Sequence, residues 1–507
     1  MGKSNFSKLT FAYGIIILFF AASFIIKLPH LNRPLSKHHE FNPAVVLICI
    51  DTWNQNGGPS YTGYAPVFNY SNEGDLYLPG SKGMAHDTKG NNIYISFGSG
   101  FFLYPYYFFK VFGLPATPLS LQVFTLILCL ISAFLVFSIA SKLFNENQTD
   151  GYFGSLVTVF IFLFNPAVLW YFGNGYDHEI MTYPFFLAAV NMFISFVKYD
   201  QKIDNGKIFL YALIILAGIF CDWLLVFWCA LTLVYALFHF KQEPKWKKYF
   251  FWVSLIVLLS IGIVFLFFIS YLGSDQYFSN LISRFLKRSA STNSFYGIFK
   301  YCIAILKHYL TSYSPLLIII LLLAFFNRKR LTVNNYHFNR QLILICLFIG
   351  LTGLLHHLIF LNFSAVHEFS VIKSSLFLSL CCGVFIRMNG INRQLKAGFL
   401  LVFFSLSVIQ FYYINPAGKV SWNGDRYDSS KRIGESIRKN AQPDEVVFVD
   451  DKTMRAQLNY YAKRSTIFAR GLNDAKKKML ELNRLKNAVW FEVVNGDVRS
   501  VVHFNIE

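Results

Sequence analysis

Charged residues are scarce in this sequence. Only 14% of its 507 residues are Asp, Glu, Lys or Arg, whereas 55% are hydrophobic and 19% are aromatic. Because soluble domains carry about 25% charged residues, this composition, with a mean hydropathy of +0.43, excludes a wholly soluble protein. Apolar runs of about twenty residues recur along the chain without the period-two alternation of a membrane β-barrel. The sequence therefore predicts a polytopic α-helical membrane protein.

Motifs that would indicate other classes of protein are also missing. The eight cysteines never form a CxxC pair, so they predict neither a zinc site nor a disulfide framework. The sequence has no glycine-rich phosphate loop and no convincing internal repeat. The net charge of +19 comes largely from basic residues that flank apolar runs, as cytoplasmic loops require, and it does not indicate a nucleic-acid partner. The first run, 9–26, lacks a small-residue cleavage pattern before Lys27, so we expect an uncleaved first helix.

The basic clusters predict the topology. Because positive residues gather on the cytoplasmic side, the chain must cross the membrane an even number of times between any two clusters. The apolar run 208–240 would be roughly 50 Å long as one helix, too long for a hydrocarbon core of about 30 Å, so we predict two short helices that meet near Asp222. Counting in this way gives about eleven spans, with the N-terminus inside and the C-terminus outside. The predicted spans are 9–26, 117–142, 152–172, 180–197, 208–221, 223–240, 249–272, 306–326, 341–361, 370–387 and 397–414.

Two outer segments are too large to be simple connections. The first, 27–116, contains an amphipathic stretch at 43–55 and an aromatic run at 101–112, which we expect to form a helix in the membrane interface. The second, 273–314, contains a predicted amphipathic helix with Arg284, Lys287 and Arg288. These outer cations break the positive-inside bias. They indicate either a site for a lipid phosphate or ordinary contact with lipid headgroups.

The composition changes to a charged, soluble pattern after Pro416. Alternating periodicities there predict a small extracytoplasmic α/β domain. Its predicted helices are 429–440, 454–463 and 474–483, and its predicted strands are 445–449, 489–494 and 500–504. We therefore predict a transmembrane domain at 1–415 and a soluble domain at 416–507.

Three His-Glu pairs fall on the predicted outer side. The pairs are His39-Glu40, His178-Glu179 and His367-Glu368. Asp177 precedes the second pair, and Asp222 lies at an outer helix junction. Ionisable groups this close to hydrocarbon are functional-site candidates by default. The alternatives are a hydrated turn at 176–179 and a helix cap at Asp222.

Zinc-protease chemistry is excluded at all three pairs. That motif requires a second His four residues after the first, and the positions concerned hold Pro43, Thr182 and Val371. A divalent cation held by His and carboxylate ligands from separate loops stays open. His356 and His357, inside the ninth span, are interpreted as packed or paired core histidines.

Carboxylates and cations at an outer membrane face suit group transfer from a lipid-linked donor. A carboxylate can accept the proton of an acceptor hydroxyl as that oxygen attacks the anomeric carbon of a sugar. Positive groups or a metal can stabilise the departing lipid phosphate. His178, His367, Lys373 or the helix with Arg284 and Arg288 could supply that positive charge.

These features together resemble the GT-C membrane glycosyltransferases. The resemblance rests on an N-terminal helix, an acid early in a large first outer loop, an aromatic run ending Phe-Lys-Val-Phe-Gly at 109–113, and a second acid after the third span. Within that superfamily the sequence is most similar to the protein O-mannosyltransferase and aminoarabinose-transferase-like group, glycosyltransferase family 39. The patterns Ile433-Gly434, Pro443-Asp444 and 458–462 look like the outer domain of many bacterial members. The usual first-loop acidic pair is replaced by His-His-Glu, and Ser96 to Ser99 stand where some relatives have a Lys.

The resemblance implies a function and a site. Glu40 takes the place of the first-loop catalytic acid, with Asp51 as a second choice, and Asp177 or Glu179 takes that of the second acid. We expect a glycosyltransferase of the bacterial plasma membrane that moves a hexose or pentose from a polyprenyl-phosphate donor to a lipid, glycan or protein acceptor, with a divalent cation possible. The residues expected to contact substrate are His39, His178, Asp222, Arg284, Arg288, His367 and Glu368.

Two other functions fit a membrane protein of this composition. A transporter or flippase of lipid-linked sugars would place ionisable residues near the midplane and have related halves, whereas here the acids cluster at one face and no halves match. An envelope glycan polymerase or ligase would share the donor but would rely on a large later outer loop. That loop, 273–314, carries only one acid, Asp275.

Overall fold

The computed structural model describes residues 3–35, 40–70, 85–87, 91–144, 152–199, 203–290, 294–331, 340–387, 392–414, 425–451, 455–482 and 487–505. Among the candidate site residues, His39 lies outside these ranges. The boundary predicted between residues 415 and 416 also falls outside them and stays a prediction.

Helices make up most of the described chain. They are α1 Lys3–Lys27, α2 Phe41–Gln55, α3 Gly100–Phe112, α4 Pro118–Phe144, α5 Phe153–Phe164, α6 Pro166–Asn174, α7 His178–Lys198, α8 Asn205–Ile219, α9 Leu224–His239, α10 Pro244–Leu272, α11 Ser274–Ser289, α12 Phe295–Leu331, α13 Arg340–Ile359, α14 Leu361–Val366, α15 Ser375–Arg387, α16 Arg393–Ile409, α17 Asp425–Asn440, α18 Arg455–Ala462 and α19 Leu472–Glu481. Shorter helical segments are the 3₁₀ helices Leu28–His30, Pro59–Thr62 and Glu368–Ser374 and the π-helical turn Gln410–Ile414. The strands are β1 Ala85–His86, β2 Asn92–Ile93, β3 Val446–Val449, β4 Ile467–Phe468, β5 Asn487–Val494 and β6 Asp497–Asn505.

The protein is an integral membrane protein, as the sequence predicts. Within the described ranges, seven helices are long and apolar enough to cross a membrane, and the bent pair α5 and α6 makes an eighth span if it counts as one. Three shorter apolar helices, Asn205–Ile219, Leu224–His239 and Ile343–Ile359, coincide with the remaining predicted spans. Every predicted span therefore coincides with a helix or helix pair, and the number of actual crossings stays a prediction.

The predicted span 152–172 is broken, which corrects the expectation of one straight helix. The axes of α5 and α6 meet at 59°. Pro166 has no backbone N–H to continue α5, and the Asn165 side chain caps α6 by accepting a hydrogen bond from the Val168 N–H at 3.0 Å. The break directs α6 toward the loop that carries Asp177.

A second correction concerns the span predicted to begin at residue 306. Helix α12 begins at Phe295, so the last part of the predicted outer segment 273–314 is helical. Lys300 and Lys307 lower the local hydropathy without interrupting the helix, because lysine is a good helix former.

The described chain divides into two compact units. The first consists of 1–31, 123–264 and 285–415, and the second of 32–122, 265–284 and 416–507. Polar contacts between apolar helices stabilise the first unit: the Tyr249 hydroxyl donates to Thr232 at 3.0 Å and pairs with Tyr211 at 3.1 Å, and the Trp228 indole N–H donates to Tyr211 at 3.2 Å. Such bonds join α8, α9 and α10 where water cannot satisfy polar groups.

The second unit contains the α/β region at the end of the chain. Its sheet has the order β4-β3-β5-β6, with β3 parallel to β4 and β5 and with β6 antiparallel to β5. Successive side chains of a strand point to opposite faces, so Val446 and Phe448 pack beside Met479 of α19, while Val447 and Val449 pack against α17 and α18. The predicted helices and strands are all present, and the two-residue strand β4 is additional.

The same unit includes the first outer segment. Lys463, the residue after α18, forms an ion pair with Asp51 of α2. The Leu35 N–H donates to the Tyr461 hydroxyl at 2.7 Å, and the Tyr460 hydroxyl donates to the Ala116 carbonyl at 2.9 Å. Helix α18 is therefore anchored on the segment that contains Glu40.

Candidate active site

The loop between α6 and α7 carries the second acidic motif of the first unit. Asp177 has an extended backbone and precedes α7, and its carbonyl accepts the first intrahelical hydrogen bond from Met181 N–H at 3.1 Å. His178 and Glu179 form the first turn of α7. All three side chains are buried, so the alternative of a hydrated turn is wrong.

Glu179 lies between two basic groups. One carboxylate oxygen is 2.9 Å from Nε2 of His178, and the other is 3.2 Å from Nζ of Lys373. The Lys373 ammonium also donates to the Ser370 carbonyl at 3.1 Å. Glu179 and Lys373 are both almost inaccessible to solvent, at 0% and 1%, and a carboxylate at this depth requires such partners.

The second and third His-Glu pairs meet in the first unit around two phenylalanine rings. The ring of Phe363 is 5.5 Å from that of His178 and 4.4 Å from that of His367. The ring of Phe369 is 6.1 Å and 5.1 Å from the same two histidines. Glu368 is buried at the start of the 3₁₀ helix Glu368–Ser374, which also supplies Lys373. Sequence positions far apart are therefore brought into one cluster.

A hydrogen-bonded chain holds this 3₁₀ helix in place. The Ser374 hydroxyl is 2.6 Å from that of Tyr309, which is 3.0 Å from Nε2 of His357. Nδ1 of His357 is 2.9 Å from the Ser364 hydroxyl. His357 is thus a paired core histidine, as predicted, and His356 packs its ring on Phe360 at 5.0 Å.

Asp222 adds a carboxylate with spare bonding capacity to the cluster. It is 2% exposed, and its Oδ1 accepts a hydrogen bond from the Trp223 N–H at 2.7 Å. Its Oδ2 has no hydrogen-bond partner among the described residues. Burial has the largest effect and raises the pKa of Asp222. The charge of Glu179 raises this pKa further, whereas His178 and Lys373 lower it. The side chain bonds only to the next residue of the chain and does not cap a helix.

Arg288 approaches the same cluster. Its guanidinium lies 5.2 Å from the centre of the Phe363 ring, the ring that also packs on His178. The backbone before it is fixed because the Asn362 side chain donates to the Lys287 carbonyl at 2.7 Å. Arg288 is therefore a cation next to the phenylalanine ring that packs on His178 and His367.

The first-loop acid Glu40 belongs to the second unit. It precedes α2 and is buried, and Arg33 forms a bidentate pair with it at 2.5 and 2.8 Å. Such paired N–H···O contacts fix the plane of the carboxylate. The sequence analysis missed Arg33, and the available signal was a basic residue seven positions before Glu40 in the same outer segment.

The other acid considered for the first loop is already engaged. Asp51 pairs with Lys463 and lies 3.4 Å from the Tyr70 hydroxyl. Burial raises its pKa, although the Lys463 ammonium opposes that shift. Asp51 thus serves to join α2 to α18, which leaves Glu40 as the stronger candidate.

Arg284 contacts the first outer segment within the second unit. It donates a hydrogen bond to the Ser96 hydroxyl and lies 5.8 Å from the centre of the Tyr94 ring. A guanidinium therefore occupies the neighbourhood of Ser96 to Ser99. Glu40, Asp51 and Arg284 belong to the second unit, and the other described candidates belong to the first.

The described candidate residues do not form a metal site by themselves. In the ranges that the structure describes, no group of three or more His, Cys, Asp or Glu side chains is arranged to hold a metal ion. A divalent cation would need oxygen atoms of the substrate in addition to protein ligands, and its presence stays a prediction.

Comparison with known proteins identifies the class of fold. No family model matches the chain, and no curated protein does. Among solved structures, the match extends over nearly the whole chain to two GT-C glycosyltransferases. The GT-C fold expected from the sequence is therefore confirmed.

The particular structures are an ArnT and an archaeal oligosaccharyltransferase. The ArnT from Cupriavidus metallidurans bound to undecaprenyl phosphate has a TM-score of 0.62 and 11% identity, with 94% of this chain and 93% of that chain covered. The oligosaccharyltransferase from Archaeoglobus fulgidus, tethered with an acceptor peptide, has a TM-score of 0.56 and 11% identity, with 95% and 69% covered. At this level of identity the likeness establishes the fold.

Proposed function

We propose that this protein transfers a sugar from a polyprenyl-phosphate donor to an acceptor hydroxyl. The buried cluster of Asp177, Glu179, Asp222 and Lys373 is the observation that carries the proposal, because buried charges in a membrane protein are costly and mark functional sites. Fold likeness adds support: one matched structure is bound to undecaprenyl phosphate, and an Archaeoglobus fulgidus oligosaccharyltransferase is in complex with a dolichol-phosphate.

Glu40 is proposed as the general base. Its carboxylate accepts the proton of the acceptor hydroxyl as that oxygen attacks the anomeric carbon, with inversion. The bond between the anomeric carbon and the phosphate oxygen breaks, its electrons stay on that oxygen, and polyprenyl phosphate leaves. Arg33 orients the carboxylate and must yield one oxygen to the acceptor.

The buried acids of the first unit are proposed to position substrate. Glu179 forms an ion pair with Lys373 and lies 2.9 Å from Nε2 of His178, so it holds the start of α7 in place. Asp222 has an oxygen available for a sugar hydroxyl or for a divalent cation, so it is the better candidate for direct contact with the donor. Asp177, in the loop before α7, is proposed to assist in positioning the donor.

The departing phosphate requires cations. Lys373 is engaged by Glu179, so Arg284 and Arg288 are the proposed phosphate-binding residues, with His367 beside the latter. Guanidinium groups suit this role because they present several donors to phosphate oxygens. Arg284 reaches Ser96, where some relatives have a Lys, and we propose that it replaces that cation.

The finer assignments are proposals of the same kind. The sugar is a hexose or a pentose, and the acceptor is a lipid, a glycan or a protein. The site faces the outer side of a bacterial plasma membrane, with the N-terminus in the cytoplasm and the C-terminus outside, as the distribution of basic residues favours.

A transfer assay with site variants tests this function. Purified protein is incubated with radiolabelled polyprenyl-phosphate hexoses and pentoses and a mixture of envelope acceptors. We expect Glu40→Gln to lower the rate at least about 100-fold, because general bases contribute 10²–10⁴-fold, and Asp177→Asn to lower it by a smaller factor. Glu435→Gln, an exposed acid of α17, is the matched control and should keep the wild-type rate. Full transfer by both site variants would refute the site, and transfer from no donor would refute the function.

A further inference from the structure

An apolar groove lies in the membrane-spanning part of the first unit. It has a volume of about 560 Å³ and is lined by α1, α5 and α16, among others through Ile15, Phe19, Phe153, Phe160, Leu401 and Phe404. Every lining residue is either aliphatic or phenylalanine. Leu401 is 66% and Phe153 49% exposed, so the groove opens at the surface that faces lipid.

The three helices run in the same direction along this groove. The Tyr412 hydroxyl after α16 donates to the Ile26 carbonyl at the end of α1 at 2.6 Å, which places the far ends of these two helices together. The ring of Phe160 in α5 is 5.2 Å from that of Phe19 in α1 and 6.2 Å from that of Phe404 in α16. Gly173, in the helix α6 that follows α5, packs against the side chain of Lys27 at the end of α1. The starts of all three helices therefore lie at one end of the groove.

The groove lies toward the starts of α5 and α16 and reaches the middle of α1, at Ile15 and Phe19. It extends from Phe153 to Phe160 on α5 and from Ala397 to Phe404 on α16, which corresponds to about 10 Å at 1.5 Å per residue. A single leaflet contributes about 15 Å of hydrocarbon. The acidic loop with Asp177 follows the far end of the bent pair α5 and α6, so the groove lies at the opposite end of that pair from the loop.

Basic residues stand at the near end of the groove, on the helix faces that line it. Arg393 precedes Ala397 by four residues, and Lys396 precedes Leu400 by four, so each pair shares one face of α16. On α1, Lys8 precedes Ile15 by seven residues, which is two helical turns and again the same face. The groove thus offers an apolar slot for one lipid acyl chain, with cations beside it for an anionic headgroup.

We infer that this groove binds an anionic glycerophospholipid of the leaflet in which α1, α5 and α16 begin. One acyl chain fills the slot, and the phosphate contacts Arg393 and Lys396. The site is separate from the proposed donor site, because the groove ends at Phe160 and the remainder of α5 and all of α6 lie between it and Asp177. The lipid would stabilise the seam between the first helix and α16.

Lipid binding to the purified full-length protein tests the inference, with no sugar donor present. Native mass spectrometry measures the affinities for phosphatidylglycerol and phosphatidylcholine with identical acyl chains. We expect phosphatidylglycerol to bind more tightly, and Arg393→Gln and Lys396→Gln each to weaken it about fivefold, the factor that corresponds to ~1 kcal/mol per basic residue. Lys247→Gln, an exposed lysine of α10, is the control and should leave the affinity unchanged.

Variants that fill the slot test the position of the chain. Ala397→Phe and Leu401→Trp add bulk at exposed groove positions, and both should lower phosphatidylglycerol binding severalfold. Ala230→Phe makes the same change at an exposed position of α9 and should bind as the wild type does. Equal binding of the two lipids, or unchanged phosphatidylglycerol binding by both filling variants, would overturn the inference. So would undecaprenyl phosphate binding that Ala397→Phe blocks while phosphatidylglycerol binding persists.

Discussion

Individual buried charges decide what the candidate site can do. Glu179 and Lys373 form a buried ion pair with each other, whereas Asp222 has no ion-pair partner among the described residues and keeps one oxygen without a hydrogen bond there. The first two residues therefore have a structural task that any substrate would have to disrupt. Asp222 can accept a hydrogen bond from a substrate without breaking an ion pair. We therefore expect Glu179 and Lys373 to hold the site in shape and Asp222 to contact the substrate.

The ion pair of Lys373 and Glu179 gives a prediction about stability. Lys373→Met leaves the Glu179 carboxylate buried with only His178, so we expect a loss of about 3–5 kcal/mol in the free energy of unfolding. The double variant Lys373→Met with Glu179→Gln should recover most of that loss. Thermal unfolding in detergent measures both. Lys431→Met removes an exposed pair with Glu435 and should cost less than about 1 kcal/mol, so equal effects of the two lysine variants would contradict the assignment.

Asp222 gives a prediction about activity and its pH dependence. We expect Asp222→Asn to lower sugar transfer at least about tenfold while the protein stays folded, because a neutral amide replaces the carboxylate oxygen. Burial and the charge of Glu179 raise the pKa of Asp222, so on acidification the wild type should lose its charged form at a pH above the ordinary aspartate value of about 3.9. Rate–pH profiles of both proteins test this. The acidic decline should be weaker in Asp222→Asn, and identical profiles would exclude a role for the ionised side chain.

The acids of the site could be found from the sequence, but their partners could not. Asp177, Glu179 and Asp222 stand out because they interrupt apolar runs. Lys373 is 194 positions from Glu179, so no spacing rule links the two, and it was one of several possible cations. Arg33 is near Glu40 in sequence, yet nothing in a short loop indicates that its guanidinium folds back.

At the scale of elements, individual residues near the helix ends explain where the predicted spans are wrong. Asn165-Pro166 is a visible break signal, but the hydropathy of the flanking residues masked it. Conversely, α12 begins at Phe295, eleven residues before the predicted span, because Lys300 and Lys307 lower the local hydropathy without ending the helix. The long amphipathic and apolar periods of α2, α3 and α11 predicted their existence correctly, whereas the two-residue strand β4 is too short to leave a pattern.

Helix α17 in the α/β region gives a prediction about close packing. A Cβ at Gly434 would lie 2.5 Å from Cβ of Tyr461 and 2.9 Å from the backbone N of Ala462. Helix propensity alone favours Gly434→Ala by about 1 kcal/mol, but overpacking against α18 costs about 1–3 kcal/mol. We therefore expect net destabilisation, measured as faster amide hydrogen exchange in β3. Glu435→Ala on the exposed side of the same helix is the control, and slower exchange in Gly434→Ala would contradict the packing.

At the scale of the whole molecule, the sequence analysis predicted the fold because the apolar composition leaves few options. Helices must satisfy their own backbone in lipid, so about twenty apolar residues predict a span without knowledge of the neighbours. Which parts of the chain form one compact unit did not follow from composition. The first outer segment and the α/β region share a unit through contacts such as that of Asp51 with Lys463, and long-range pairs of this kind leave no trace in a single sequence.

The topology gives a prediction that single cysteines can test. In a Cys302→Ser background, which removes the exposed native cysteine, Ser436→Cys should react with a membrane-impermeant maleimide applied to intact cells. Lys247→Cys, in a basic cluster predicted to be cytoplasmic, should react only after permeabilisation. The opposite pattern, or labelling of both positions in intact cells, would contradict an outer α/β region.

The most direct test of the proposed function follows both halves of the donor. Proteoliposomes are supplied with a polyprenyl-phosphate sugar that carries one radiolabel in the lipid and another in the sugar, together with acceptor. A glycosyltransferase should move the sugar label to the acceptor, leave the lipid label in polyprenyl phosphate, and lose this activity in Glu40→Gln. If both labels cross the bilayer together as intact donor and no sugar reaches the acceptor, the protein is a transporter and the proposal is wrong.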